Sequence, residues 1–112
     1  EDEACAEMSK THGGGLTEAT VRQAAHFWID AHDVRGRKRT AGGDSFFVSI
    51  RGPSQTRAKV TDNFDGSYLV VWKPYVSGMY SISISLFGGL DHLAHAPIVA
   101  VHGGRMDRGR EL

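Results

Sequence analysis

Val60-Thr61-Asp62-Asn63-Phe64-Asp65-Gly66-Ser67-Tyr68-Leu69-Val70-Val71-Trp72 is written as a β-hairpin. A short apolar alternation runs into Asp62, Asn63, Asp65 and Gly66, all turn formers, and a second alternation follows in Tyr68, Val70 and Trp72. Asp65-Gly66 suits the turn because Gly takes positive φ without a Cβ clash, while Asp can accept from the backbone amides after it. The same period of two extends outward on both sides. Upstream, Phe46, Val48 and Ile50 alternate with Ser45, Ser49 and Arg51 until Gly52-Pro53 must end the strand, because proline has no donor for the ladder. Downstream, Tyr80, Ile82, Ile84 and Leu86 alternate with Ser81, Ser83 and Ser85, one face buried and one wet.

Further out the signals shorten. His26 to Ala31 reads as a strand with Phe27, Ile29 and Ala31 on one side, and Leu16 to Val21 as a weaker one. A helix over residues 17–28 competes on the strength of Ala19, Ala24 and Ala25, and the surrounding β pattern decides against it. Ala58 and Val60 mark a short fourth strand, and Pro97 to Val101 a last one. Residues 33–44 hold four basic residues and three glycines with no apolar period, which predicts a loop. Residues 1–12 are expected to be an N-terminal tail or linker, 13–102 the folded unit, and 103–112 a departing linker. Seven short strands in this spacing predict an all-β, immunoglobulin-like antiparallel sandwich with little helix.

The composition agrees with one soluble domain. The chain has 112 residues, 40% of them hydrophobic, and 13 basic residues balance 13 acidic ones. No global attraction to nucleic acid or anionic membrane is indicated. The lone Cys5 cannot close an internal disulfide, which favours a reducing compartment and hence the cytoplasm. The acidic start is unlike a signal peptide, no apolar run could cross a membrane, and the chain reads as a piece of something longer.

In order along the chain, Gly13-Gly14-Gly15-Leu16, Phe27, Ile29 and Asp33, Gly42-Gly43-Asp44 and Gly52-Pro53-Ser54 lead to Val60, Asp62, Asn63, Asp65, Gly66, Tyr68, Val70, Trp72 and Pro74. Gly78-Met79-Tyr80 and Pro97 follow. This series is similar to a filamin-type immunoglobulin-like repeat of the filamin/ABP280 repeat family, from Gly13 to His102. It departs from the family at Arg22, where glycine is usual between the first two strands, and at His95-Ala96-Pro97-Ile98, where Gly-Ser-Pro-Phe is usual. The resemblance implies a protein-binding repeat of a larger scaffold or actin-cross-linking protein, cytoplasmic and associated with the cytoskeleton. Related proteins also include tripartite-motif ubiquitin ligases and extracellular adhesion proteins of the cell surface or of gametes, which are the alternative settings.

No catalytic constellation emerges. Ser81, Ser83 and Ser85 have no histidine and aspartate in register and read as a wet strand face. His92, His95 and His102 lack ligand spacing, and Asn63, Asp65 and Gly66 complete no calcium loop, since Thr61 and Trp72 stand where Asp and Glu are needed. No metal and no cofactor are expected. Arg35, Arg37, Lys38 and Arg39 lack interleaved aromatics for base stacking and read as a solvated loop rather than a nucleic-acid site.

Binding of protein is the expectation instead. The core phase of Phe46, Val48 and Ile50 turns Phe47 outward on a strand expected at a sheet edge. The resemblance implies that this strand accepts an extended peptide by β-augmentation, in a groove of Phe47, Ser49 and Arg51 on one side and Ala58 and Val60 on the other. Phase alone gives a second candidate interface. With Phe27, Ile29, Tyr68, Val70 and Trp72 inward, Trp28, Leu69 and Val71 should form one exposed apolar patch across two neighbouring strands, for a neighbouring repeat or an adhesion partner.

Overall fold

The computed structural model describes residues 4–5, 8–86, 91–92 and 98–103. Among these described residues ten strands run in chain order as β1 (Lys10–His12), β2 (Glu18–Thr20), β3 (Ala25–Asp30), β4 (Phe46–Arg51), β5 (Thr56–Arg57), β6 (Lys59–Asp62), β7 (Ser67–Trp72), β8 (Gly78–Leu86), β9 (Asp91–His92) and β10 (Ile98–His102), with one 3₁₀ turn at Gly14–Leu16. They form two sheets. One has the order β1-β3-β7-β6; the other runs β2-β10-β8-β4-β5, with β9 paired to β8. All pairings are antiparallel except β2 with β10, so the molecule is an immunoglobulin-like β-sandwich.

Register turns the sequence alternation into a core. Phe27 stands opposite Val70, Ile29 opposite Tyr68 and Ala25 opposite Trp72, all buried. From the other sheet, Phe46 meets Leu86, Ile50 meets Ile82 and Tyr80 meets Val99. Directly opposed residues in an antiparallel pair share a face, so these rows aim at each other across the sandwich. The Phe46 ring meets the Tyr68 ring edge-on at 4.9 Å, and the Trp72 and Tyr80 rings lie 5.7 Å apart, which joins the two sheets through aromatic contacts.

The weak first strand expected over Leu16 to Val21 is shortened to β2, and a further strand, β1, precedes it in the stretch expected to be a tail. β1 pairs with β3, the chain crosses at Gly13-Gly14-Gly15, and β2 joins the opposite sheet beside β10. Gly13 has φ +127, and a Cβ there would lie 2.8 Å from the Phe27 backbone, so the crossing needs glycine. The polar stretch before it is docked. Ala4 is buried and bridges to Asp33, the Cys5 amide donates to the His32 carbonyl at 2.8 Å, and β1 adds an edge to the sheet. Its signal was hidden because an edge strand of three residues buries too little to need an apolar period.

Of the fourth predicted strand, Val60 lies in β6 while Ala58 falls between strands, and the two-residue β5 precedes it. β5 folds back on β4 at Ser49 and Ile50, Ala58 makes the crossing, and β6 pairs with β7 in the other sheet. Pro97, expected at the start of the last strand, and the tail from residue 104 lie outside the described residues; β10 is described from Ile98.

Candidate interaction site

At one side of the sandwich β4 and β6 approach each other from opposite sheets. β4 is the last strand of any length in its sheet, and β5 covers only its Ser49–Ile50 end. Along Phe46–Val48 no strand lies beyond β4 among the described residues. Inside this edge, Val48, Ala58 and Val60 pack on the core while staying half-buried. Val48 stands opposite Ile84 and Val60 opposite buried Val70, so both aim between the sheets. The result is a slot with apolar walls under an incompletely paired backbone edge.

The residues expected to share a groove are split between two surfaces. Ala58 and Val60 face the slot. Phe47, Ser49 and Arg51 stand opposite Ser85, Ser83 and Ser81 on the outer face of the sheet, where Phe47 is 59% exposed. Two residues apart on a strand means one face, and the inward phase of Phe46, Val48 and Ile50 forces this outcome. The two sets meet only at the β4 edge. Val48, assigned to the core by its alternation, is the slot residue that the sequence reading missed; its proximity to an unpaired edge leaves it half-buried. On the outer face, Ser49, Arg51, Ser81, Ser83 and Ser85 floor a shallow depression of about 390 Å³.

Trp28, Leu69 and Val71 lie on the outer face of the other sheet, Trp28 directly opposite Leu69, and Val71 opposite His26. Each is half-buried. The His12 ring stacks on Trp28 at 5.6 Å with 13° between planes, and His26 meets it edge-on at 5.2 Å. His12 is itself held by Asp30, Nε2 to Oδ2 at 3.0 Å. Covered by two imidazoles, the indole offers less apolar surface than its sequence phase suggested.

The basic loop is built around two carboxylates. Asp33, 2% exposed, accepts from the amides of Arg35 and Arg37 through Oδ1, both at 2.9 Å, and from Arg37 Nε through Oδ2 at 3.2 Å. These bonds, above all the Arg37 amide, hold its carboxyl below the usual aspartate range. Arg39 Nε donates to Asp44 Oδ2 at 3.1 Å, with both side chains largely buried, and the Tyr68 hydroxyl donates to the same oxygen at 2.7 Å. Burial and this bond push the Tyr68 hydroxyl pKa well up. Arg37 and Arg39 are therefore structural braces. Among the described residues no group of three or more His, Cys, Asp or Glu side chains could hold a metal; His95 and the side chain of His92 lie outside them.

Two packed sheets, with β1 and β2 on opposite sheets and the edges of β4 and β6 side by side, define an immunoglobulin-like module. The model of the Filamin/ABP280 repeat matches residues 3–99, and the chain belongs to that family of non-catalytic protein-interaction repeats. It is 31% identical over 105 residues to the E3 ubiquitin-protein ligase TRIM71 of Rattus norvegicus, covering 91% of this chain and 12% of the ligase. It is 32% identical over 80 residues to rat filamin-C, covering 71% of this chain and 3% of filamin-C. The chain thus spans a small fraction of either relative. Among solved structures, the Lin-41 filamin domain superposes with a TM-score of 0.72 at 20% identity, over 90% of this chain and 98% of that one, a likeness of fold.

Proposed function

We propose that this chain is a non-enzymatic interaction module that receives an extended protein segment by strand addition along Phe46–Val48 of β4. The observation that carries the reading is an edge that has no strand partner among the described residues, beside half-buried Val48, Ala58 and Val60. Strand addition takes affinity from main-chain hydrogen bonds and selectivity from alternate side chains. An added segment would turn every second residue into the slot, against Val48 and Val60. The residues between would lie beside Phe47, Ser49 and, where the segment reaches it, Arg51. Apolar or small inward residues with polar outward ones are the sequence pattern this surface selects. Half-buried Trp28, Leu69 and Val71, side by side on the outer face of the other sheet, would offer a second contact surface to a neighbouring domain of the same protein.

The parent reading follows from the relatives. Likeness to a ubiquitin ligase across nine-tenths of the chain supports a substrate-recruiting or scaffolding repeat in a multidomain intracellular protein, ahead of an adhesion domain. Fluorescence polarisation of labelled decapeptides alternating Val or Ile with Ser tests the site. Binding should weaken about tenfold or more in Phe47→Asp and Val48→Lys while Trp28→Ala leaves it unchanged. Equal binding to all four proteins would remove β4 as the site.

A further inference from the structure

The hairpin tip contains a residue that neither the core nor the slot explains. Phe64 is 77% exposed, the largest exposure among the large apolar side chains described, and its φ of 64 lies in the left-handed region. A bulky L-residue costs about 1 kcal/mol or more there, whereas glycine or asparagine would sit with little strain. The backbone is held in place by bonds on both sides. The Phe64 amide donates to Asp62 Oδ1 at 2.7 Å, and Asp65 Oδ1 accepts from the Ser67 amide at 2.9 Å and from its hydroxyl at 2.6 Å. The Asn63 amide donates to the Ser67 carbonyl at 3.1 Å, and the Lys38 ammonium reaches the Asp65 carbonyl at 3.5 Å. The aromatic ring is therefore presented outward on a rigid stem, at a backbone cost the fold gains nothing from.

We infer that Phe64 is a preorganised anchor that inserts into an apolar pocket with a basic lip on a partner protein. Rigid aromatic side chains make strong interface anchors because little conformational entropy is lost when they are buried. The basic lip follows from the flanking charges, in which the carboxylates of Asp62 and Asp65 outnumber the one ammonium of Lys38. Asp65 is exposed, and its bonds from the Ser67 hydroxyl and amide hold its carboxyl below the usual range, so it stays ionised beside the ring; Asp62 follows on the other side. A strained conformation kept by its surroundings is the pattern expected where function, not stability, selects the residue.

The test combines capture with a stability control. A photoreactive benzoylphenylalanine at position 64 of the chain, expressed in the cells that produce it, should yield a discrete protein adduct. The captured protein, purified, should bind Phe64→Trp within about twofold of wild type and Phe64→Gly about tenfold or more weaker, and its binding should fall as salt rises. The thermal midpoint of Phe64→Gly should equal or exceed that of wild type by up to about 4 °C, because strain is relieved. Phe47→Asp should leave this binding unchanged, which separates it from the β4 edge. Absence of an adduct, undiminished binding of the captured protein to Phe64→Gly, or a midpoint lowered by that substitution would overturn the assignment.

Discussion

Arg22 shows how a departure from a family pattern can be read as physics. It stands where filamin-type repeats usually have glycine, and its φ is 66, the conformation a glycine supplies without strain. Its amide donates to the Pro74 carbonyl at 2.8 Å, a bond that any residue can make. Arg22→Gly should therefore stabilise the fold by about 0.5–1 kcal/mol, read as a higher midpoint in urea at unchanged slope. Gly66 is the opposite case. It has φ +92, and a Cβ there would overlap the Arg39 carbonyl oxygen, so Gly66→Ala should cost about 3 kcal/mol in the same assay. Gly66 was legible in the sequence because Asp-Gly between two alternations has one good conformational reading. The strain at Phe64 was not, because nothing in a residue's identity announces a positive φ that its neighbours impose.

Among elements, the long strands were legible and the short ones were not, for a reason of area. β7 and β8 each bury one full face and β4 all of its inner face but half-buried Val48, so their period of two is strong, and the sandwich architecture it implies makes β3 and β7 neighbours. β1, β2 and β5 have two or three residues each and are specified by partners distant in sequence, so local pattern carried little of them. The slot was half legible for the same reason, since the inward phase of Val48 and the edge position of its strand were expected, while the half-burial of Val48 depends on how little of that edge β5 covers. The basic loop gives the element-scale prediction. Asp44→Ala would remove the carboxylate to which Arg39 Nε and the Tyr68 hydroxyl both donate, costing about 2–3 kcal/mol. Phe47→Asp, on the exposed face, should change stability by no more than about 0.5 kcal/mol. The contrast checks that the loop braces the sandwich while the exposed Phe47 does not.

For the whole molecule, the groups that titrate with folding set a window of pH. Asp33 and Asp65 are held below the ordinary aspartate range by hydrogen bonds, so their contribution is present above their unfolded value, about 3.9, and is lost as pH falls through the lower folded one. Tyr68 is shifted upward, so its contribution is present below the unfolded value, about 10, and is lost as pH rises beyond it. Urea midpoints should form a plateau between about pH 4 and pH 10 and decline on both sides, with Tyr68→Phe removing part of the alkaline decline. Within that window both sheets should unfold together, since Phe46, Tyr68, Trp72 and Tyr80 tie them into one core. The central claim, strand addition at β4, is tested most directly by amide hydrogen exchange on the chain with and without a saturating alternating Val/Ser decapeptide. Protection should rise at Phe46–Val48 and leave the amides of β1 and β3 unchanged. Protection gained on the Trp28 face instead, or nowhere along β4, would contradict it.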